Sequence, residues 1–473
     1  MPRSLRTICA TFAFVGLTGL FAPAHAGNDA SGITMLATIP FSELPGENVE
    51  ANDIYGYTSP SGREYALCGM RKGLAFLEIT TPTAPVVVGY TTNTESLWGD
   101  MCTHGTYAYK VNEAANGIQV IDMTNIDSGS VTLVTEIFDG PQNSSHNIQA
   151  NNESGYIYTL GSDNFGGGIM AFNVSDPANP VFEGGWDGNY AHDALFRSYP
   201  SGTYAGREFS FVAGGGGGVH IVDVTDKTNM FSMSASTYPG ISYTHQLWLD
   251  DDERYLYVND ELDELVGNVP TTTTYVFDVT DLSNPVYLHS FTNGITATDH
   301  NMSGRGNLLF QANYESGLRV YDIADVNNVS EVGYYDTYPA GNEISFNGAW
   351  GVFTEFASGV VIVSDRASGF WIFDPFDVTS VDPSPNPVRL LLDASPNPFS
   401  ESTALSFSLE ESAVVRLDIV DSSGRQVDQV FGGTLDAGSH RMPWHPKSAQ
   451  NGVYFAILKA GTETRTGRIV LSR

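Results

Sequence analysis

The chain has 473 residues, with 54 Asp and Glu against 22 Lys and Arg and a formal net charge of −32. So acidic a surface repels nucleic acid and anionic lipid, which argues against both as partners. The length exceeds what one hydrophobic core normally serves, so two or more domains are expected.

Arg3 and Arg6 precede an apolar stretch over residues 8–21, and Ala24-His25-Ala26 forms a small-x-small cleavage site. Residues 1–26 therefore read as a secretory signal peptide. No later segment approaches about 20 uninterrupted apolar residues, so no transmembrane span is expected. Cys9 leaves with the signal, and the remaining pair, Cys68 and Cys102, permits one disulfide or two buried thiols.

From residue 32 to residue 375 one phrase recurs seven times, at 73–79, 117–123, 168–174, 218–224, 274–279, 317–323 and 369–374. In each copy a glycine or threonine opens a β-branched and aromatic run that an acid or amide closes. A Tyr- or Phe-rich strand precedes most copies, such as Tyr156-Ile157-Tyr158, and another often follows, as at 85–90. Four short strands in roughly 45–55 residues make a propeller blade. The seventh unit lacks an outer strand, whereas residues 33–39 form a lone outer strand that can complete it. The prediction is an all-β, seven-bladed β-propeller over 27–380, closed by pairing of its two ends.

This region resembles the choice-of-anchor B family, exported bacterial proteins built of LVIVD-type repeats. The resemblance is carried by Gly-Ile-Gln-Val-Ile-Asp at 117–122, Ser-His-Asn-Ile at 145–148, Thr-His-Gln-Leu at 244–247, Asp-His-Asn at 299–301 and Ser-Asp-Arg-Ala-Ser-Gly-Phe at 364–370. It implies a propeller and surface attachment but no particular reaction.

The inner strand of a blade begins at the central channel, and there four consecutive units carry a histidine followed by an amide or acid. These are His146 with Asn147, His192 with Asp193, His245 with Gln246 and His300 with Asn301. The histidines are 46, 53 and 55 residues apart, the period of the repeat. Imidazoles suit a divalent transition metal, and the following amide or carboxylate would fix their tautomers. The competing reading is that one ancestral blade spread a histidine that only hydrogen-bonds to blade backbone. Glu113, Asp163, Asp260, Glu261, Glu315 and Asp365, at the neighbouring inter-strand turns, could add a negative rim. The remaining acids are scattered and no D-x-D-x-D-G loop appears, so they read as solubilising rather than cation-binding.

A proline-rich connector spans 381–392, and residues 393–473 show the alternation and turns of a small antiparallel β-sandwich. This module resembles a type IX secretion sorting domain of type A through 395–399, 451–454 and 459–473, and an FlgD-like Ig fold through 438–444. The resemblance implies the type IX secretion machinery as a partner and passage across an outer membrane, followed by surface attachment or release.

No Ser/His/Asp order, G-x-S-x-G elbow or H-E-x-x-H helix is present. The expectation is a non-enzymatic secreted or surface-attached protein that binds an unidentified ligand. The alternative is a metalloprotein, a hydrolase or oxidase, with channel histidines as ligands.

Overall fold

In the computed structural model the described residues are 29–138, 144–374 and 393–472, the last without 396, 398, 401, 410–411, 422–424, 437, 447–449 and 461–462. The signal peptide and the proline-rich connector of the sequence reading lie outside them.

The third-strand phrases are nearly continuous apolar runs because each is covered on both faces by neighbouring blades. Gly73–Glu78 and Ile169–Asn173 are buried at every position but the last. Outer strands such as Val286–Phe291 instead alternate exposed and half-buried residues. Seven antiparallel sheets result. Their inner strands are Ala51–Thr58, Met101–His104, Asn147–Asn151, Asp193–Tyr199, Thr244–Leu249, Asn301–Arg305 and Ala349–Phe353, in blades one to seven. Each inner strand lies against the next, and the seventh lies against the first, so the ring closes. The chain is therefore a seven-bladed β-propeller with a channel lined by its inner strands. Apolar side chains of adjacent blades interdigitate between the sheets, as Leu67 and Phe76 of blade one do with Ala108 and Ile121 of blade two.

In all seven blades the pairing of third and outer strands shifts register once, for instance at Phe76/Leu77, Ile221/Val222 and Val320/Tyr321. Such bulges twist an outer strand and blunt it as a template for pairing with other chains.

The N-terminal segment closes the ring through two blades. Thr34–Ile39 pairs with Gly369–Asp374 as the outer strand of blade seven. Ala30–Ser31 pairs with Tyr334 and Tyr335 and adds a fifth strand to blade six, which the sequence did not suggest. Between them Gly32 adopts φ 65°, and a Cβ there would stand 2.6 Å from the Val332 carbonyl oxygen.

Cys68 and Cys102 are both free and buried, so the disulfide left open by the sequence does not form. The reason is placement: Cys68 packs between blades seven and one, with Ile54, Ala66 and Ile362, whereas Cys102 packs with Ile148 and Ile157 of blade three.

The C-terminal module is an Ig-like β-sandwich. One sheet holds Asp393–Ser395, Thr403–Leu409 and Gly438–Trp444, and the other holds Ala413–Asp421, Gln426–Leu435, Gly452–Ala460 and Glu463–Leu471. Leu405, Leu417, Ile419, Trp444, Leu458 and Ile469 fill the space between them. His440 and Trp444 belong to this module's packing, with His440 against Phe407 and Trp444 tilted or edge-on against Phe399 and Tyr454.

Candidate metal centre

The repeat brings His146, His192, His245 and His300 into one arc at the channel mouth. Successive rings lie 4.2, 4.1 and 4.3 Å apart between centroids. Each sits at the start of an inner strand, so one blade-to-blade step moves one ring to the next.

The partners that orient these rings differ from the sequence expectation. The Nδ1–H of His192 donates to the His245 carbonyl at 2.9 Å, and that of His300 donates to the Trp350 carbonyl at 2.6 Å. His146 Nδ1 meets Glu113 Oε1 at 2.6 Å. Asn147, Asp193, Gln246 and Asn301 make no hydrogen bond to an imidazole, because successive strand residues point to opposite sides. Asn147 and Asp193 both accept from Gln149, and Gln246 accepts from the Met302 amide. For His192 and His300 the predicted role of holding the ring is thus taken by backbone carbonyls of the following blade, and for His146 by Glu113. Donation through Nδ1 leaves Nε2 as the free lone pair of His192 and His300.

Three ligand atoms converge. His245 Nε2 lies 3.6 Å and His300 Nε2 lies 3.7 Å from the carboxylate oxygens of Glu261. Each nitrogen faces a different oxygen of Glu261, and one ligand atom from each of the three residues lies within 4.8 Å of the others, against about 3.3 Å between ligand atoms in a tetrahedral zinc site. His146 and His192 line the same cavity but stand outside this mutually close group. The arc therefore offers two imidazoles and one carboxylate, rather than four imidazoles, to a single ion.

Burial, reinforced by neighbouring imidazoles, holds His192 and His245 well below the usual histidine range, and His300 is lowered to about 3. All three rings are neutral at neutral pH, the form in which imidazole ligates. Burial raises Glu261 to about 7, opposed by a hydrogen bond of 2.6 Å that the Tyr314 hydroxyl donates to it. Among the described residues no Lys or Arg pairs with Glu261, so a cation entering here finds a carboxyl held by the Tyr314 hydroxyl and by no basic side chain.

Of the acids expected as a rim, Glu113 and Glu261 face the histidines. Asp260 instead accepts from the Tyr238 hydroxyl and from the amides of Ser242 and Tyr243, Glu315 from the Glu343 amide, and Asp365 from the amides of Ala367 and Ser368. They stitch loops. Trp350, which lines the cavity, and Tyr314, which packs on His300 and donates to Glu261, were not singled out in the sequence. Their one signal was position, Tyr314 at the turn beside Glu315 and Trp350 beside Gly348. His104 bonds to Asn152 and His220 packs on Trp186, both away from the arc.

The cavity at the histidines has a volume of about 50 Å³, room for an ion and a few waters. A second space of about 640 Å³ continues along the channel, lined by Tyr55, Gln149, Arg197, Trp248 and Phe353 among others. Asp53, Asp100, Asp193 and Asn301 border both.

Comparison with known proteins agrees with the two-part organisation. Residues 394–472 match the family described as a secretion system C-terminal sorting domain, and residues 203–237 match the LVIVD repeat. The chain thus carries a type IX sorting domain behind an LVIVD-type propeller, which makes it a secreted or outer-membrane surface protein that engages the secretion machinery. Among the described residues no helix is long and apolar enough to cross a membrane. None of the curated proteins matches the chain. Similar solved structures include a protein from Lactobacillus plantarum, at 12% identity, 83% of this chain, 99% of that chain and a TM-score of 0.48. A functionally unknown protein from Desulfotomaculum acetoxidans has 17% identity, covering 64% and 89% at a TM-score of 0.43. YCF48 bound to D1 peptide has 12% identity, covering 75% and 97% at a TM-score of 0.46. The blade count rests on the sheet order and ring closure, because TM-scores below 0.5 do not establish a shared fold.

Proposed function

We propose that this exported propeller is a metal-binding protein of the cell surface or its surroundings, its transition-metal ion held at the channel mouth by His245, Glu261 and His300. The observation that carries this reading is the approach of two neutral imidazole nitrogens to the Glu261 carboxyl, which no basic side chain pairs, at 3.6 and 3.7 Å. Two nitrogens and an oxygen suit Zn²⁺, Fe²⁺ or Cu²⁺ better than a hard cation. Three protein ligands leave coordination positions open, the arrangement of sites that admit a further ligand rather than of purely structural ones. The choice-of-anchor B resemblance fits this architecture and adds no reaction.

Elemental analysis of the purified protein tests the proposal. About one transition-metal ion per chain is expected, falling at least tenfold in the His245→Ala/His300→Ala double variant. A metal-free wild type whose melting temperature does not move with added Zn²⁺, Cu²⁺ or Fe²⁺ would sink it, since a specific ligand at about 100 times its Kd stabilises by about 2.7 kcal/mol.

A second reading, a binding protein without a metal, is favoured by the space of about 640 Å³ with aromatic walls and a single lining guanidinium, Arg197. That volume falls in the range of roughly 300–1,000 Å³ typical of small-molecule pockets.

A further inference from the structure

The sequence reads the acids of this chain as a solubilising surface, yet three of them are wholly interior and share one point. Asp263 and Glu264 lie in the turn between the second and third strands of blade five, and Asp299 leads into the inner strand of blade six. Their relative exposures are 0%, 2% and 0%, and their nearest carboxylate oxygens all lie within 4.8 Å of one another.

Proximity alone would be a cluster of acids. The second observation is that four of their six oxygens, Asp263 Oδ1, both oxygens of Glu264 and Asp299 Oδ1, are buried without any hydrogen-bond partner. Glu264 in particular is a buried carboxyl aimed into the group, within reach of the other two carboxyls and of no donor from outside it. The other two oxygens are engaged at the margin: Asp263 Oδ2 accepts from the Tyr275 hydroxyl at 2.6 Å and Asp299 Oδ2 from the Thr273 amide at 3.0 Å. None of the ion pairs among the described residues includes these acids, and Asp260 beside them adds further negative charge. Burial and mutual repulsion push all three carboxyls up, so the group either keeps protons or exchanges them for a cation.

The geometry points to a calcium site formed by Asp263, Glu264 and Asp299 at the seam between blades five and six. All the donors are oxygens, which selects a hard cation over the transition metals suited to the histidines. Three carboxyls buried away from solvent suit Ca²⁺, which accepts cages of protein oxygens, better than Mg²⁺, which usually keeps several of its waters. The turn is also shaped to present these side chains. It spans residues 261–273, longer than its counterparts at 214–218 and 313–317, and folds around the Asp263 carbonyl, which accepts from the Asn268 amide at 2.8 Å. Bound calcium would tie this turn to blade six, and with it Glu261 and His300, two residues from Asp263 and one from Asp299. The site stands on its own donors and does not rest on the transition-metal reading.

Calorimetric titration of CaCl₂ into chelator-treated, metal-free protein tests this directly, with thermal unfolding in parallel. One site is expected, with Kd at or below roughly 10⁻³ M as in extracellular calcium modules, and a melting temperature that rises with Ca²⁺ and at least tenfold less sensitively with Mg²⁺. Glu264→Gln, which keeps the shape of the side chain but cannot ionise to meet the ion, should weaken the response at least tenfold. Should that variant fail to fold, Tb³⁺ luminescence sensitised through Tyr275 in the wild type, displaced by Ca²⁺, gives the same answer. No response at 10 mM Ca²⁺, an equal response to Mg²⁺, or an undiminished response in Glu264→Gln would each overturn the assignment and leave a proton shared among the three carboxyls.

Discussion

Lys110 ends the second strand of blade two with a side chain only 1% exposed, and its Nζ has no hydrogen-bond partner. Burial lowers its pKa to about 8, against the opposing pull of Asp100 and Asp53. The folded pKa lies below the unfolded value of about 10.4, so between those values the unfolded chain binds more protons and stability rises with pH. Below about pH 8 both states are charged and the full cost of burying the ammonium is present. Urea midpoints should therefore climb between about pH 8 and pH 10, and the climb should be absent in Lys110→Met; an identical slope in the variant would refute the assignment. Residues of this kind were illegible in the sequence, since nothing local distinguishes a strand-end lysine facing solvent from one buried beside two aspartates. The four histidines were legible because the repeat fixes where each blade meets the channel. Their orienting partners were not, because the neighbour in sequence lies on the other side of the strand while the carbonyl of the next blade lies some 50 residues away.

At the level of single elements, the third strand of each blade was the clearest, its glycine-led apolar run set by burial on both faces. The register shift against every outer strand was invisible, since it depends on how two strands align and not on the composition of either. Contacts between blades were equally hidden. Glu208, in the second strand of blade four, pairs at 2.6 Å with Lys227, and both side chains are under 10% exposed. Glu208 also accepts from Asn151 and Tyr158 of blade three, while Lys227 donates to the Val224 carbonyl and lies 4.6 Å from the Tyr156 ring. With every polar atom supplied, removal of one partner strands the other: Glu208→Ala should cost about 3–5 kcal/mol, whereas Glu208→Ala with Lys227→Met should cost clearly less than the single change. A double variant no more stable than Glu208→Ala would show that the stranded Lys227 charge is not the source of the loss.

For the whole molecule the decisive element is the N-terminal strap, because a propeller's stability depends on closing its ring. Ile33 and Ile39 are 7% and 5% exposed, and the strap covers Phe370, Trp371, Ile372 and Phe373 along the edge of blade seven. Burying the two isoleucines alone contributes about 3–6 kcal/mol, to which the lost ladder adds. Deleting residues 29–39 while keeping the segment before them would bare a flat apolar strand between two hydrophobic cores, a template for pairing with other copies. The expected outcome is a melting temperature lowered by at least several degrees, with higher-order species on size exclusion. A synthetic peptide of residues 29–40 should restore the melting temperature in proportion to its concentration, as any ligand of the folded state does. If the deletion melts and elutes like the full protein, the ring is held by its inner strands alone and the strap is dispensable. The fifth strand that Ala30–Ser31 adds to blade six sharpens the test: a Gly32→Val substitution strains the crossover at φ 65° and should reproduce part of the loss while leaving both strands in place.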